Sequence, residues 1–235
     1  MRKILLLLLI LPFALFLFGN EPDGSYKNQN DSVYFSGDKI IFSLSGFGAL
    51  SNKMVGEGTF EINDRYLIIN TGEYSGSKST INTQPTESNK TVSIRFLNDD
   101  GFALPGVLVE LLSSSNKIIQ RAVSDEMGRI DKSFNEKINN VKVSLMGYDG
   151  LDFRYDNSLD YTINMIKNKV IENKVVLFEI KPDGEDSITL TLLSEDFKAG
   201  KDLKKALEKS YQKALKTNRL GKRFKKEYIS VFYNR

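Results

Sequence analysis

From Lys39 to Ser194 the chain is written in short apolar or alternating segments, such as KIIFSLSG from Lys39, GEGTFEI from Gly56 and RYLIINT from Arg65, each bounded by Gly, Asn or Asp. Segments of this length and period are strands, and their turn-forming borders leave no room for helices between them. The period changes only after Asp202, where Leu203, Leu207, Tyr211, Ala214 and Leu215 recur at helical spacing. The predicted fold class is therefore mainly β: an antiparallel meander, then a β-sandwich, then a C-terminal amphipathic α-helix.

Composition narrows the chemistry. Cysteine, histidine and tryptophan are all absent from the 235 residues. Thiolate and imidazole metal sites, Cys or His catalysis and disulfides are thereby excluded, and the chain is indifferent to an oxidising compartment. No catalytic residue, cofactor site or metal site is expected, and the protein is read as a non-enzyme.

Arg2 and Lys3 precede an apolar run from Ile4 to Phe18 that ends at Gly19. This is the order of a secretory signal, and the run, interrupted by Pro12, is shorter than the ~20 residues a spanning helix needs. Export to the periplasm or cell surface, with a mature start near Asn20, is expected. No cysteine follows the run, so a lipid anchor there is not. Loss of Arg2 and Lys3 lowers the formal charge from +3 to +1. Residues 20–197 hold 18 basic against 27 acidic side chains, net −9, whereas residues 198–235 hold 13 against 3, net +10. An acidic body thus carries a basic tail, which meets either that body, solvent, or an external anionic surface; nucleic acid is not an expected partner of an exported chain.

The chain divides into a signal (1–19), a polar flexible leader (20–32), a small β-meander (33–76), a linker rich in Ser, Thr and Asn (77–90), a β-sandwich with an extra hairpin (91–193) and a basic helical segment (194–235). In the meander, Asn63-Asp64 supplies a hairpin turn. SGDKIIFSL followed by GEGTFEINDRYLIINT resembles the lipocalin-like and META-like small β-domains of exported bacterial proteins. That resemblance implies an open sheet or partial barrel able to enclose a small apolar ligand. About forty residues supply too few strands for a closed eight-stranded barrel.

In TVSIRFLNDDGFALPGVLVELL, Val92, Ile94 and Phe96 share a face, Asp99-Asp100-Gly101 turns the chain, and Pro105-Gly106 bends it into the next strand. A hairpin through Ser124-Asp125-Glu126-Met127-Gly128 and the strand of VKVSLMGYDGLDF follow. Residues 90–166 in this order resemble the carboxypeptidase regulatory-like domain of transthyretin topology. Met127-Gly128 stands where that family usually has Asp-Gly, but the glycine needed for positive φ is kept. The resemblance implies a seven- or eight-stranded sandwich serving as a structural or docking module, with no catalytic residue. Beyond Met165, KVVLFEI and SITLTLLS flank the turn KPDGED as a further hairpin. In the tail, Asp202 suits a helix start, Gly221 a stop, and EYISVFY fits helix or strand.

Ser75 with Lys78, Ser114 with Lys117 and Ser210 with Lys213 each have the serine-to-lysine spacing of penicillin-recognising enzymes. The partner motifs Ser-Asp-Asn and Lys-Thr-Gly are missing, and chance explains three hits in a Ser- and Lys-rich chain. GFGALS from Gly46 reads as a strand-end turn, not a nucleotide loop, because no helical period follows. Asp99-Asp100, Asp125-Glu126 and Asp183 with Glu185 and Asp186 read as turn residues, not calcium ligands. Tyr34, Tyr66, Tyr74 and Tyr148 read as sheet packing, not a sugar platform. The expected function is an exported, non-catalytic structural or binding module of the bacterial cell envelope, its partner an envelope protein or ligand. The alternative is a lipocalin-like carrier, which a cavity between residues 33 and 75 would favour.

Overall fold

The computed structural model describes residues 21–45, 53–86, 92–132, 137–217 and 219–228. In chain order the elements are β1 (Gly24–Asn28), β2 (Asp31–Ser36), β3 (Lys39–Leu44), β4 (Met54–Asn63), β5 (Tyr66–Thr71), β6 (Thr80–Pro85), β7 (Val92–Asn98), β8 (Leu108–Leu112) and β9 (Ile118–Val123). They continue as β10 (Arg129–Lys132), β11 (Asn140–Ser144), β12 (Leu151–Arg154), β13 (Leu159–Met165), β14 (Lys169–Val170), β15 (Val175–Pro182), β16 (Ser187–Ser194), α1 (Leu203–Lys216) and β17 (Lys222–Glu227).

Strands β1 to β5 form a meander, β5 pairs with β15, β15 with β16, β16 with β17, and β17 returns to β1, every pairing antiparallel. The eight strands close on themselves as an up-and-down barrel, which removes the free edges an open meander would expose. The open sheet expected from residues 33–76 is thus corrected: the missing strands come from the far end of the chain. Alternate side chains fill the lumen. Phe35, Phe42, Phe178 and Phe224 are at most 1% exposed, and Phe35 meets Tyr26 and Phe60 edge to face at 5.7 and 5.1 Å.

Two glycines let β4 serve both neighbours. A Cβ on Gly56 would lie 2.6 Å from the ring of Phe42, so this glycine makes room for a core phenylalanine. At Gly58, near which the pairing of β4 passes from β3 to β5, a Cβ would lie 2.0 Å from the Asn70 carbonyl oxygen. Backbone cannot move aside as a side chain can, so no other residue fits there.

The barrel's β5–β15 connection contains a second module. Residues 80–165 form two four-stranded sheets, ordered β10-β7-β13-β6 and β12-β11-β8-β9. Between them lies a separate core that includes Ile94, Phe96, Val107, Leu111, Val141 and Ile163, none measurably exposed. Gly101, Gly106 and Gly128 take φ of 82°, 79° and 67°, as the turn reading requires. Around Gly128, however, the flanking strands do not pair: β9 pairs with β8 and β10 with β7, so the segment crosses from one sheet to the other in place of a hairpin.

Other boundaries shift for related reasons. The leader 20–32 contains β1, whose Tyr26 is buried in the barrel and whose backbone is bonded on both sides. The linker 77–90 contains β6, an edge strand paired with β13; its exposed TINTQP sequence and Pro85 suit an edge that must not attract other strands. The hairpin of β15 and β16 belongs to the barrel, not to the sandwich. The tail 194–235 contributes β17 as well as a helix, because Phe224 completes the lumen. The β4–β5 turn is Asp64-Arg65, since Asn63 pairs with Tyr66. Most of EYISVFY lies outside the described residues, as does the apolar run 4–18.

Helix α1 lies on the outer face of β5, β15 and β16. Those strands are consequently buried on both faces: Leu67, Val176 and Leu190 point into the lumen, and Tyr66, Ile68, Leu177 and Leu193 meet the helix. Asp202 caps the start by accepting from the Lys205 N–H at 3.0 Å. Leu207 and Ala214 are buried, with Leu203, Ala206 and Tyr211 packed beside them, but Leu215 is 53% exposed. Three steps of four residues drift ~120° around a helix of 3.6 residues per turn, so Leu215 leaves the stripe and Ala214 takes its place.

Candidate functional site

Two surfaces concentrate polar chemistry. The first is the junction between the modules, where Ser75 and Lys78 lie. Ser75 Oγ donates to Glu57 at 2.9 Å, and Lys78 Nζ donates to Glu172 at 2.9 Å, so the serine and the lysine are held by different carboxylates. Glu172, which also accepts from the Tyr74 N–H, holds the Lys78 ammonium above its ordinary pKa, and Lys78 in turn lowers that of Glu172. A lysine that activates a serine must lose its proton near neutrality, so this environment opposes that role. Beside it, Asp149 accepts from the Ser79 and Val170 N–H groups, and Ser79 Oγ donates to the Asp149 carbonyl and accepts from the Ile166 N–H. Burial pushes the Asp149 carboxyl up, against the lowering effect of those N–H donors. These bonds tie both chain crossings of the junction together.

Adjoining the junction, a groove of about 460 Å³ runs over the outside of the barrel. Its floor includes the cross-strand pair Tyr34 and Ile41, 46% and 47% exposed, and its rim carries Lys39, Glu57 and Glu73. Apolar floor and mixed charged rim can hold a small amphipathic group. Alternation in β2, β3 and β4 signals this outward pair and Glu57, which stands opposite Ile41, but nothing in the sequence brings Glu73 to it.

The second surface is α1. Lys204, Lys205, Lys209, Lys213 and Lys216 are all exposed. Glu208 turns to the barrel instead, accepting from Arg65 and from the Tyr66 hydroxyl, each at 3.0 Å, while the Arg65 guanidinium stacks 3.9 Å from the Tyr211 ring centroid. Helix α1 therefore docks through its apolar stripe and one acid, with its lysines outward, whereas further along the tail Lys222 and Arg223 pair with Asp31 and Asp183 of the acidic body.

The remaining sequence candidates are dispersed. Ser210 Oγ donates to the Ala206 carbonyl within the helix, and Ser114 lies in the β8–β9 turn. Asp125 accepts from the Met127 and Arg129 N–H groups, Asp183 pairs with Arg223, and Asp186 accepts from the Tyr228 hydroxyl. Asn98, unremarked in the sequence, organises the Asp99-Asp100-Gly101 turn by accepting from the Asp100 and Phe102 N–H groups. Tyr66 is buried under α1, Tyr74 lies at the junction and Tyr148 packs on the sandwich core, so with outward Tyr34 they share no face. GFGALS from Gly46 lies outside the described residues.

No protein-family model matches the chain, and no curated protein matches it. Among solved structures, one titled "Structure of the Streptococcal ancillary pilin" superposes with a TM-score of 0.24 at 15% identity, over 59% of this chain. The chain spans 50% of the length of that protein. So loose a superposition carries no argument for fold or role. Among the described residues no helix is long and apolar enough to cross a membrane.

Proposed function

We propose that the protein is an exported, non-catalytic structural or binding module of the cell envelope. The barrel acts as a rigid base, and the inserted sandwich acts as a docking unit of the carboxypeptidase regulatory-like kind. The observation that supports this most is the filled lumen. A carrier needs an interior vacancy, and Phe35, Phe42, Phe60, Phe178 and Phe224 occupy the space in which an apolar ligand would sit. Two four-stranded sheets, the positive-φ glycines at the predicted turns and a separate core support the sandwich reading. The pairing of Lys78 with Glu172 supports the non-catalytic one.

The test is native mass spectrometry of protein recovered from the producing cell. A mature chain starting near Asn20 and carrying no bound apolar molecule is expected. A stoichiometric lipid or other apolar adduct would revive the carrier, and an intact Met1 would contradict export.

A further inference from the structure

Lys204, Lys205 and Lys209 are placed where neither the fold nor the helix benefits, whereas Lys213 and Lys216 suit the dipole of the last turn. Among the described residues, Lys204, Lys205, Lys209, Lys213 and Lys216 have no ion pair. Neighbouring acids are already matched: Glu195 by Lys169, Asp196 by Lys198, Glu179 by Lys181, and Glu208 by Arg65. Asp202 is engaged as the helix cap. Lys204 and Lys205 stand in the first turn, which has no acid, so they oppose the helix dipole. Lys205, Lys209 and Lys213 repeat at four-residue spacing, the arrangement in which like charges repel. Lysines chosen for helix stability would be interleaved with acids.

Two apolar groups at and just beyond the C-terminal end of the helix are also left uncovered by the barrel. At ~100° per residue Leu215, 53% exposed, lies about 20° from Lys204 and about 80° from Lys205 around the helix, and Leu220, just beyond the helix, is 76% exposed. The lysine row from Lys205 to Lys216 extends ~16 Å at 1.5 Å per residue. A flat anionic surface with an apolar layer beneath it matches both features, because ammonium groups meet headgroup phosphates while the leucines enter the acyl boundary. A soluble polyanion would leave the leucines unmatched.

We propose that the outer face of α1, with Leu215 and Leu220, is a docking surface for an anionic lipid bilayer. The inference rests on the envelope reading above, yet it is tested separately, since vesicle binding reports on the helix face and adduct analysis reports on the lumen. Attachment is peripheral and reversible: the apolar stripe of α1 stays on the barrel, and the lysines carry the attraction.

The experiment is cosedimentation of the full mature chain with vesicles of phosphatidylcholine containing about one third phosphatidylglycerol, beside pure phosphatidylcholine, at low and high salt. Binding only to the anionic vesicles, abolished by about 0.5 M salt, is expected. Each lysine near the surface is worth roughly fivefold in the binding constant, so Lys205→Gln with Lys209→Gln should weaken binding roughly 25-fold. Leu215→Ser with Leu220→Ser should weaken vesicle binding without changing retention on soluble polyphosphate. Circular dichroism and melting should match the wild type for both pairs, since neither pair touches the core. Absence of binding, equal binding to neutral vesicles, or insensitivity to the lysine pair would overturn the proposal. Indifference to the leucine pair, with polyphosphate bound as tightly as vesicles, would assign the face to a polyanion instead.

Discussion

The barrel and the inserted sandwich bury comparable cores but assemble them from different stretches of chain. The sandwich is sequence-continuous, from Thr80 to Met165, and it leaves β6, β9, β10 and β12 as edges. The barrel has no such edges among its eight strands, but β1 closes on β17 only after the whole intervening chain has been placed; the Asn28 side chain reaches the Arg223 carbonyl across 195 positions. Closure over so long a loop is entropically costly and slow, whereas the sandwich contacts are more local. The sandwich is therefore expected to behave as an autonomous insert, and the barrel as a single unit that forms from both of its parts or not at all.

The largest break in that comparison should come at Gly58. Gly58→Val drives a side chain into the Asn70 backbone and should cost about 3 kcal/mol or more, with the barrel melting while the sandwich keeps its own transition. Two-transition calorimetry checks it, and a single unchanged melt would contradict it. The mirror change is Gly128→Val. Positive φ and a Cβ 2.6 Å from the Phe96 carbonyl oxygen should cost about 2 kcal/mol or more, confined to the sandwich.

Leu207→Glu comes next. An isolated helix of this length is marginal, so loss of one buried leucine, worth about 2 kcal/mol, should release α1. Amide exchange and proteolysis should then rise in 203–216 while lumen amides stay protected. Asp149→Ala leaves the Ser79 and Val170 N–H groups without their carboxylate and should cost about 1–2 kcal/mol, loosening the junction with both cores intact.

The smallest effect is expected from Glu172→Gln, under about 1 kcal/mol for so exposed an ion pair. Its pH dependence has a definite sign. The folded pKa of Glu172 is lowered, so the pair's contribution is present above the ordinary glutamate pKa and vanishes as pH falls through the depressed value; wild type and variant should converge in acid. Asp149 has the opposite sign, because its raised pKa means that its contribution is complete below the ordinary aspartate range and is lost as pH rises through the folded value.

Strand composition, turn glycines and a helix start at Asp202 were all legible because each depends on residues adjacent in sequence. Closure was not. In GSYKN and KRFKKE a single aromatic side chain, Tyr26 or Phe224, faces the core, and each strand is held on at least one side by backbone bonds to a neighbour far away in the chain. The crossover at Gly128 eluded sequence for a related reason: a four-residue turn looks the same whether its flanking strands pair or part. The junction shares this limit, since Glu57, Ser75, Lys78, Asp149 and Glu172 become neighbours only once the insertion is in place. The unpaired lysines of α1 were visible as a basic tail, but their outward direction depended on which face the barrel took.

The central claim, one closed barrel built from two distant parts of the chain, is tested most directly by native-state hydrogen exchange on Phe224→Ala. Removing this lumen side chain from β17 should lower protection by the same factor in β1–β5 and in β15–β17, leaving residues 92–165 unchanged. If protection falls only in β16, β17 and their immediate neighbour β1, or falls equally in the sandwich, the two parts do not form one cooperative barrel.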